Sequence, residues 1–218
     1  MNYKNFIVSK YLKLLTGTIV RLNLSIILVL ISLSIACQVS DAWEKRQNDR
    51  QPPDKVMDAI GIEPGMIIGE VGAGRGRYVV HMAVRTGPGG KVFAEDIDAE
   101  ALNYLKYRCE RDNITNVVTI LGEVTNPKLP EGMMDVIYMI NSYHHISDVV
   151  PLMKNIIPSL KPGGKFVIIE NEPGKSGWNS HTTPKEKLLR ETKEAGFQLV
   201  KMIDILDEDM IYVFKAVN

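Results

Sequence analysis

Apolar residues in this chain fall into short runs of two periods, and the two periods alternate. Val56, Met57 and Ile60 recur at helical spacing behind the helix start Pro52-Pro53-Asp54, and Gly61 closes them. Met66–Val71 is a short, mostly apolar run leading into glycines, and Gly76–Val84 follows as a helix. After the turn Gly87-Pro88-Gly89-Gly90, Lys91–Asp96 reads as a strand. Ala99–Arg111 places Ala101, Leu102, Leu105 and Cys109 on one helical face. Val117–Leu121 and Met134–Ile140 are further strands. Val149–Leu160 predicts a helix trimmed by Pro151 and Pro158, and Lys165–Glu170 a strand behind Lys161-Pro162-Gly163-Gly164. Pro184–Ala195 is a helix closed by Gly196. Phe197–Ile205 and Met210–Ala216 then predict a terminal hairpin around Asp207-Glu208.

Strands alternating with helices predict an α/β fold, a mostly parallel sheet with helices on both faces. Near-continuous apolar strands suit a sheet buried on both sides. Ligands of such sheets sit at the carboxyl ends of the strands. That rule directs attention to Gly72–Gly76, Asp96–Asp98, Gly122–Thr125, Asn141–His145 and Asn171–Trp178.

The first 37 residues do not share this pattern. Leu22–Ala36 is uncharged and mostly apolar, and Lys4, Lys10, Lys13 and Arg21 precede it. A basic start followed by an apolar run of this length is the layout of a secretory signal, and it is short for a membrane-spanning helix. Ser34-Ile35-Ala36-Cys37 resembles a bacterial lipobox, which implies a lipidated Cys37 and membrane attachment on the periplasmic side. An uncleaved anchor with a cytoplasm-facing body, or a buried helix, is the alternative. The expected organisation is a signal or anchor over 1–37, a polar tether over 38–51 and one domain over 52–218. The whole chain of 218 residues is formally neutral, with 26 basic and 26 acidic residues. Beyond Cys37 it holds 22 basic against 26 acidic residues, net −4. A mildly acidic body argues against nucleic acid as a partner. Two distant cysteines form neither a disulfide framework nor a zinc pattern, and Cys109 is expected to be a half-buried apolar residue.

The glycine loop narrows the function. Gly72, Gly74 and Gly76 follow a strand and open a helix, so backbone amides face whatever binds there. Dinucleotide dehydrogenases place the third glycine one residue later, where Arg77 stands. Glu70-Val71-Gly72-Ala73-Gly74-Arg75-Gly76 resembles motif I of the class I methyltransferases instead. The resemblance runs from about Pro52 to the C-terminus, and includes Gly122-Glu123-Val124, Met134-Asp135-Val136-Ile137 and Leu160-Lys161-Pro162-Gly163-Gly164. It implies a Rossmann-like doubly wound sheet of seven strands, mostly parallel with the last strand antiparallel. It also implies S-adenosyl-L-methionine as cofactor. Glu70, Gly72, Ala73, Gly74 and Gly76 would hold it, Asp96 would accept from the ribose hydroxyls, and Ile97, Glu123 and Val124 would border the adenine. Asn141 would lie near the methionine part. Glu95 and Asp98 are expected to face solvent or cap a helix.

Methyl transfer to a protonated nucleophile needs a base. The chain Asn141-Ser142-Tyr143-His144-His145 offers His144 or His145, and Tyr143 as pocket wall or hydroxyl donor. Spacing does not choose between the histidines, and both could instead bond loop backbone. Adjacent histidines diverge in a strand or loop and no third ligand is evident, so no metal site is expected. Trp178 and His181 lie where the family often covers its substrate. With no room for a separate substrate domain, a small-molecule acceptor is expected. A non-catalytic exported lipoprotein using the fold as a nucleoside-binding module is the competing expectation.

Overall fold

A computed structural model describes residues 42–175 and 182–217. The leader with its Cys37, and Trp178 and His181, lie outside the described residues. Among the described residues no helix is long and apolar enough to cross a membrane. Two units emerge, residues 1–47 and 48–218, and the second holds the α/β fold.

Residues 42–50 are helical and are termed α1. There follow α2 (Pro53–Ile60), β1 (Ile67–Val71), α3 (Arg77–Thr86), β2 (Lys91–Asp96) and α4 (Ala99–Arg111). Then come β3 (Val117–Leu121), β4 (Met134–Ile140), α5 (Val149–Ile156), β5 (Leu160–Asn171), α6 (Lys185–Glu194), β6 (Phe197–Ile203) and β7 (Asp209–Ala216). The seven strands form one sheet in the order β3-β2-β1-β4-β5-β7-β6. The first five are mutually parallel, and β7 runs antiparallel to both β5 and β6. The order reverses between β1 and β4, so their carboxyl ends form the crevice at which such sheets bind ligands.

Burial explains the elements. The inner strands are closed in on both faces: Val136, Ile137, Tyr138 and Met139 of β4 and Phe166–Ile169 of β5 are fully buried. One core packs α2, α3 and α4 on one side of the sheet, and a second packs α5 and α6 on the other. Cys109 is buried in the first of these, more deeply than expected.

The largest differences from the expected boundaries flank α5 and β5. The predicted helix Val149–Leu160 is α-helical only to Ile156, then tightens into a 3-10 turn over Ile157–Ser159. Pro158 has no N–H to continue the ladder. The predicted turn Lys161-Pro162-Gly163-Gly164 lies inside β5 as a bulge: the register jumps from Met134–Leu160 to Val136–Lys165. The Lys161 ammonium fixes it by pairing with Asp135 at 2.7 Å, and Asp135 also accepts the Ile67 amide at 2.8 Å. Asp135 is thereby a brace between β1, β4 and β5.

Candidate active site

The carboxyl ends of β1, β2, β3 and β4 surround a cleft of about 430 Å³, a size usual for a small-molecule site. It is lined by Val71 and Gly72 of the glycine loop, by Glu95, Asp96 and Ile97, by Glu123 and Val124, and by Asn141, Ser142, His145, Ile146 and Ser147.

Close approach between loops dictates the glycines. Gly72 has φ +76°, and a Cβ there would stand 2.6 Å from the Ser142 Cβ. Gly76 caps α3 at φ +78°, and its Cβ would meet Leu105 Cδ1 at 2.3 Å. A Cβ on Gly74 would meet nothing within 4 Å, so this part of the loop stands open to a ligand. The loop is stapled to β2 from below: Gly72 and Ala73 donate to the Glu95 carbonyl, and Gly74 donates to Asp96 Oδ2 at 2.6 Å.

Asp96 Oδ1 accepts the Asp98 amide at 2.9 Å, so each carboxylate oxygen holds one backbone bond and retains a lone pair. Asp98 caps α4 by accepting from Glu100 and Ala101, as expected. Glu95 is a correction. It is buried rather than solvent-facing, because its carboxyl tucks into the space over Gly122; a Cβ there would fall 1.8 Å from Glu95 Oε1. Burial, reinforced by Asp96, pushes its carboxyl up to about 8, against a smaller pull from the Gly72 amide. Ile97 and Val124 are both more than half exposed, and both line the cleft. Two exposed apolar side chains in one concavity form a slot suited to a flat apolar ring. Glu123 is exposed and pairs with Lys128 at 2.8 Å.

Glu70 is not brought to the cleft surface. It is buried beneath the loop, where Tyr138 donates to Oε2 at 2.7 Å. Burial pushes its carboxyl up to about 8, with smaller downward pulls from Tyr138 and Arg77. Tyr143 is not brought there either. It is buried in the α5–α6 core, and its hydroxyl donates to Glu191. The two histidines sit in a 3-10 turn, Tyr143–His145, rather than a strand or loop, and their rings do not diverge: the centroids are 4.0 Å apart. His145 lines the cleft and His144 does not. Among the described residues no group of three or more His, Cys, Asp or Glu is placed to hold a metal.

Beyond Asn141 lies a polar network. Asn141 adopts φ +51°, a left-handed conformation that costs a non-glycine residue about 1–2 kcal/mol. Its backbone amide donates to Ile169 at 2.9 Å. With the side-chain amide oriented by its neighbours, its nitrogen faces the Ile169 carbonyl and Asp209 Oδ1, and its oxygen faces Arg50 Nη2, each at 3.3 Å. Gln51 is fully buried and bridges elements: Arg77 donates to its side-chain oxygen at 2.5 Å and Tyr78 to its carbonyl at 2.9 Å. Arg50 pairs with Glu208 at 2.9 Å, and Asp209 is fully buried, its carboxyl raised chiefly by that burial. Glu170, at the end of β5, holds His144 Nδ1 at 2.7 Å. Sequence reasoning missed Arg50, Gln51, Glu170 and Asp209. An acid ending an otherwise apolar strand was a visible signal for Glu170; Gln51 carried none.

Residues 69–168 match the family profile described as "Methyltransferase domain". Over this stretch the chain is similar to a methyltransferase domain. Over 116 residues it is 27% identical to the demethylmenaquinone methyltransferase of Lactococcus lactis, covering 53% of this chain and 46% of that protein. Over 147 residues it is 28% identical to phosphoethanolamine N-methyltransferase 1 of Zea mays, covering 66% of this chain and 27% of that one. The chain thus spans about half or less of the length of these relatives. Its fold resembles a SAM-dependent methyltransferase from Aquifex aeolicus, with TM-score 0.72, 22% identity, and 81% and 98% of the two chains covered. It also resembles geranyl diphosphate C-methyltransferase from Streptomyces coelicolor, with TM-score 0.65, 16% identity, and 79% and 82% covered.

Proposed function

We propose that this methyltransferase domain binds S-adenosyl-L-methionine in the cleft and transfers its methyl group to a small-molecule acceptor. The observation that carries the reading is the conjunction at one cleft of an open, left-handed glycine turn, a carboxylate with spare lone pairs, and two exposed apolar side chains. Each suits one part of the cofactor. Asp96 accepts from the ribose hydroxyls. Ile97 and Val124 enclose the adenine, with Glu123 at its edge. The backbone of Gly72, Ala73, Gly74 and Gly76 lies against the methionine part, and Asn141 closes that end. Glu70 acts from beneath, supporting the loop through Tyr138 rather than touching the ligand. Bound there, the cofactor supplies the activated methyl, and the protein supplies position.

Calorimetry on the full chain with S-adenosylmethionine and S-adenosylhomocysteine tests this, followed by transfer of a labelled methyl group into fractionated small-molecule extracts. Saturable binding of both and label in a small-molecule fraction are expected. No binding of either would sink the proposal.

The leader supports a second, independent proposal: membrane attachment through a lipidated Cys37. A processed, lipid-labelled product from the intact gene is expected, and label surviving Cys37→Ser would refute it.

A further inference from the structure

We propose that Glu95 recognises the adenine ring of the cofactor, through a carboxylic acid paired with N1 and the 6-amino group of the base. This rests on the S-adenosylmethionine reading above and assigns the contact that selects the base. Glu95 stands level with Ile120 in the β2–β3 register. Its Oε1 nevertheless lies at Gly122, two residues further along the chain, where a Cβ on that glycine would fall 1.8 Å from it. The side chain therefore reaches forward, to the end of the sheet where the cleft opens. Successive strand residues point to opposite faces. Asp96 turns to the Gly74 amide, and Glu95 turns the other way, to Gly122. Only 3% of Glu95 is exposed, yet it lines the cleft with Ile97 and Val124, so the little it exposes faces the cleft. Ile97 lies two residues beyond Glu95, and Val124 two beyond Gly122. The carboxyl thus sits at the foot of the apolar slot, between its two walls.

Among the described residues no side chain bonds this carboxyl and no cation pairs with it; the charge beside it is Asp96. Burial first, then Asp96, favour the protonated form, and the carboxyl is pushed up to about 8. At neutral pH the group is a carboxylic acid, which offers an O–H donor and a carbonyl acceptor side by side. The Watson–Crick edge of adenine offers the complement, an acceptor at N1 and a donor at the 6-amino group. An ionised carboxylate is acceptor-only, so it would take the amino hydrogen and oppose the N1 lone pair. Glu123 is the other glutamate at the slot, but it is exposed and paired with Lys128. An exposed ion pair discriminates weakly. A buried polar group that the wrong ligand leaves unmatched discriminates strongly.

Calorimetry of the full chain with S-adenosylhomocysteine from pH 7 to 9.5 reads the proton. The complex keeps Glu95 protonated, so the dissociation constant should be flat below about 8 and rise above it, by up to about tenfold per pH unit. Asp96, Glu123 and His145 also line the cleft, and the ligand brings its own amino group. Their titration is common to the wild type and Glu95→Gln, and cancels in the ratio of the two constants. Glu95→Gln carries a permanent donor and acceptor and should lose the rise above pH 8.

Glu95→Leu should raise the constant about 10-fold or more at pH 7. Gly122→Ala keeps the acid but puts a Cβ where Oε1 lies, and should weaken binding in the same sense. A nucleoside pair reads the base edge alone. 1-Deazaadenosine, with C–H in place of N1, should bind about 10-fold more weakly than adenosine at pH 7, and Glu95→Leu should erase that difference. A ratio of wild type to Glu95→Gln that is constant across pH would overturn the proposal and leave the cofactor reading standing. So would equal affinity of the wild type for the two nucleosides, or wild-type affinity in Glu95→Leu. No binding of S-adenosylhomocysteine at any pH would overturn both.

Discussion

Asp96→Ala is expected to raise the dissociation constant for S-adenosylmethionine by roughly 10²–10⁴-fold. Two hydrogen bonds to a carboxylate are at stake, each worth about 1.5–3 kcal/mol, and every 1.4 kcal/mol is a factor of ten. The structure adds a second route to the same loss. Asp96 Oδ2 holds the Gly74 amide at 2.6 Å and Oδ1 holds the Asp98 amide at 2.9 Å, so the side chain shapes the loop as well as receiving the ribose. Asp96→Asn separates the two. It keeps one acceptor oxygen, and should preserve more of the loop while losing the charge, giving an intermediate constant. Calorimetry on folded protein, with the fold checked by circular dichroism, reads both variants. Wild-type affinity in Asp96→Ala would remove the ribose assignment.

Most of the sheet was legible in the sequence, for a simple reason. Buried parallel strands are apolar along their whole length, and the helices between them show a 3.6-residue stripe, so Met134–Ile140 and Ala99–Arg111 emerge with their observed bounds. What failed was set by contacts across the chain. Nothing local in Glu95 announces burial. The space it fills is made by Gly122, just past the end of β3, and by the Gly72 loop, which only the folded sheet brings beside β2. Tyr143 was placed in the pocket by its neighbours in sequence. A 3-10 turn instead rotates it into the α5–α6 core while His145 stays at the cleft.

The polar network beyond Asn141 was least legible. Its side chains come from Asn48–Gln51, α3, the end of β5 and the start of β7. Gln51 belongs to a stretch expected to be tether. Its burial follows from Arg77 and Tyr78, which reach it from α3, and its charge-free, polar character gave no sign of that role. Glycine spacing and a single acid therefore pointed to the cleft, where backbone geometry decides. The polar network beside it depends on side chains far apart in sequence.

Stability of the cofactor-free protein is expected to fall as pH rises from about 4.5 to about 8. Glu70 and Glu95 start from an ordinary value of 4.5 in the unfolded chain, and each is pushed up to about 8 in the fold, first by burial. Below 4.5 both states hold the protons and neither group discriminates. Between 4.5 and 8 the unfolded chain releases them while the native state keeps them. The native state binds more protons there, so unfolding becomes easier with rising pH, by at most about 1.4 kcal/mol per pH unit for each group. Above 8 both states are ionised and the loss is complete. Asp96 raises both groups, so the three carboxyls beneath and beside the glycine loop repel one another most at high pH. Urea titrations at pH 5, 6, 7 and 8 measure the slope. Glu95→Gln and Glu70→Gln, each a neutral isostere of the buried acid, should flatten it singly and further together. The Gln at position 70 can still accept the Tyr138 hydroxyl, so the fold should survive the change. A double variant with the wild-type slope would show that these carboxyls are already ionised in the native protein, and that the loop is built over charge rather than over neutral acid.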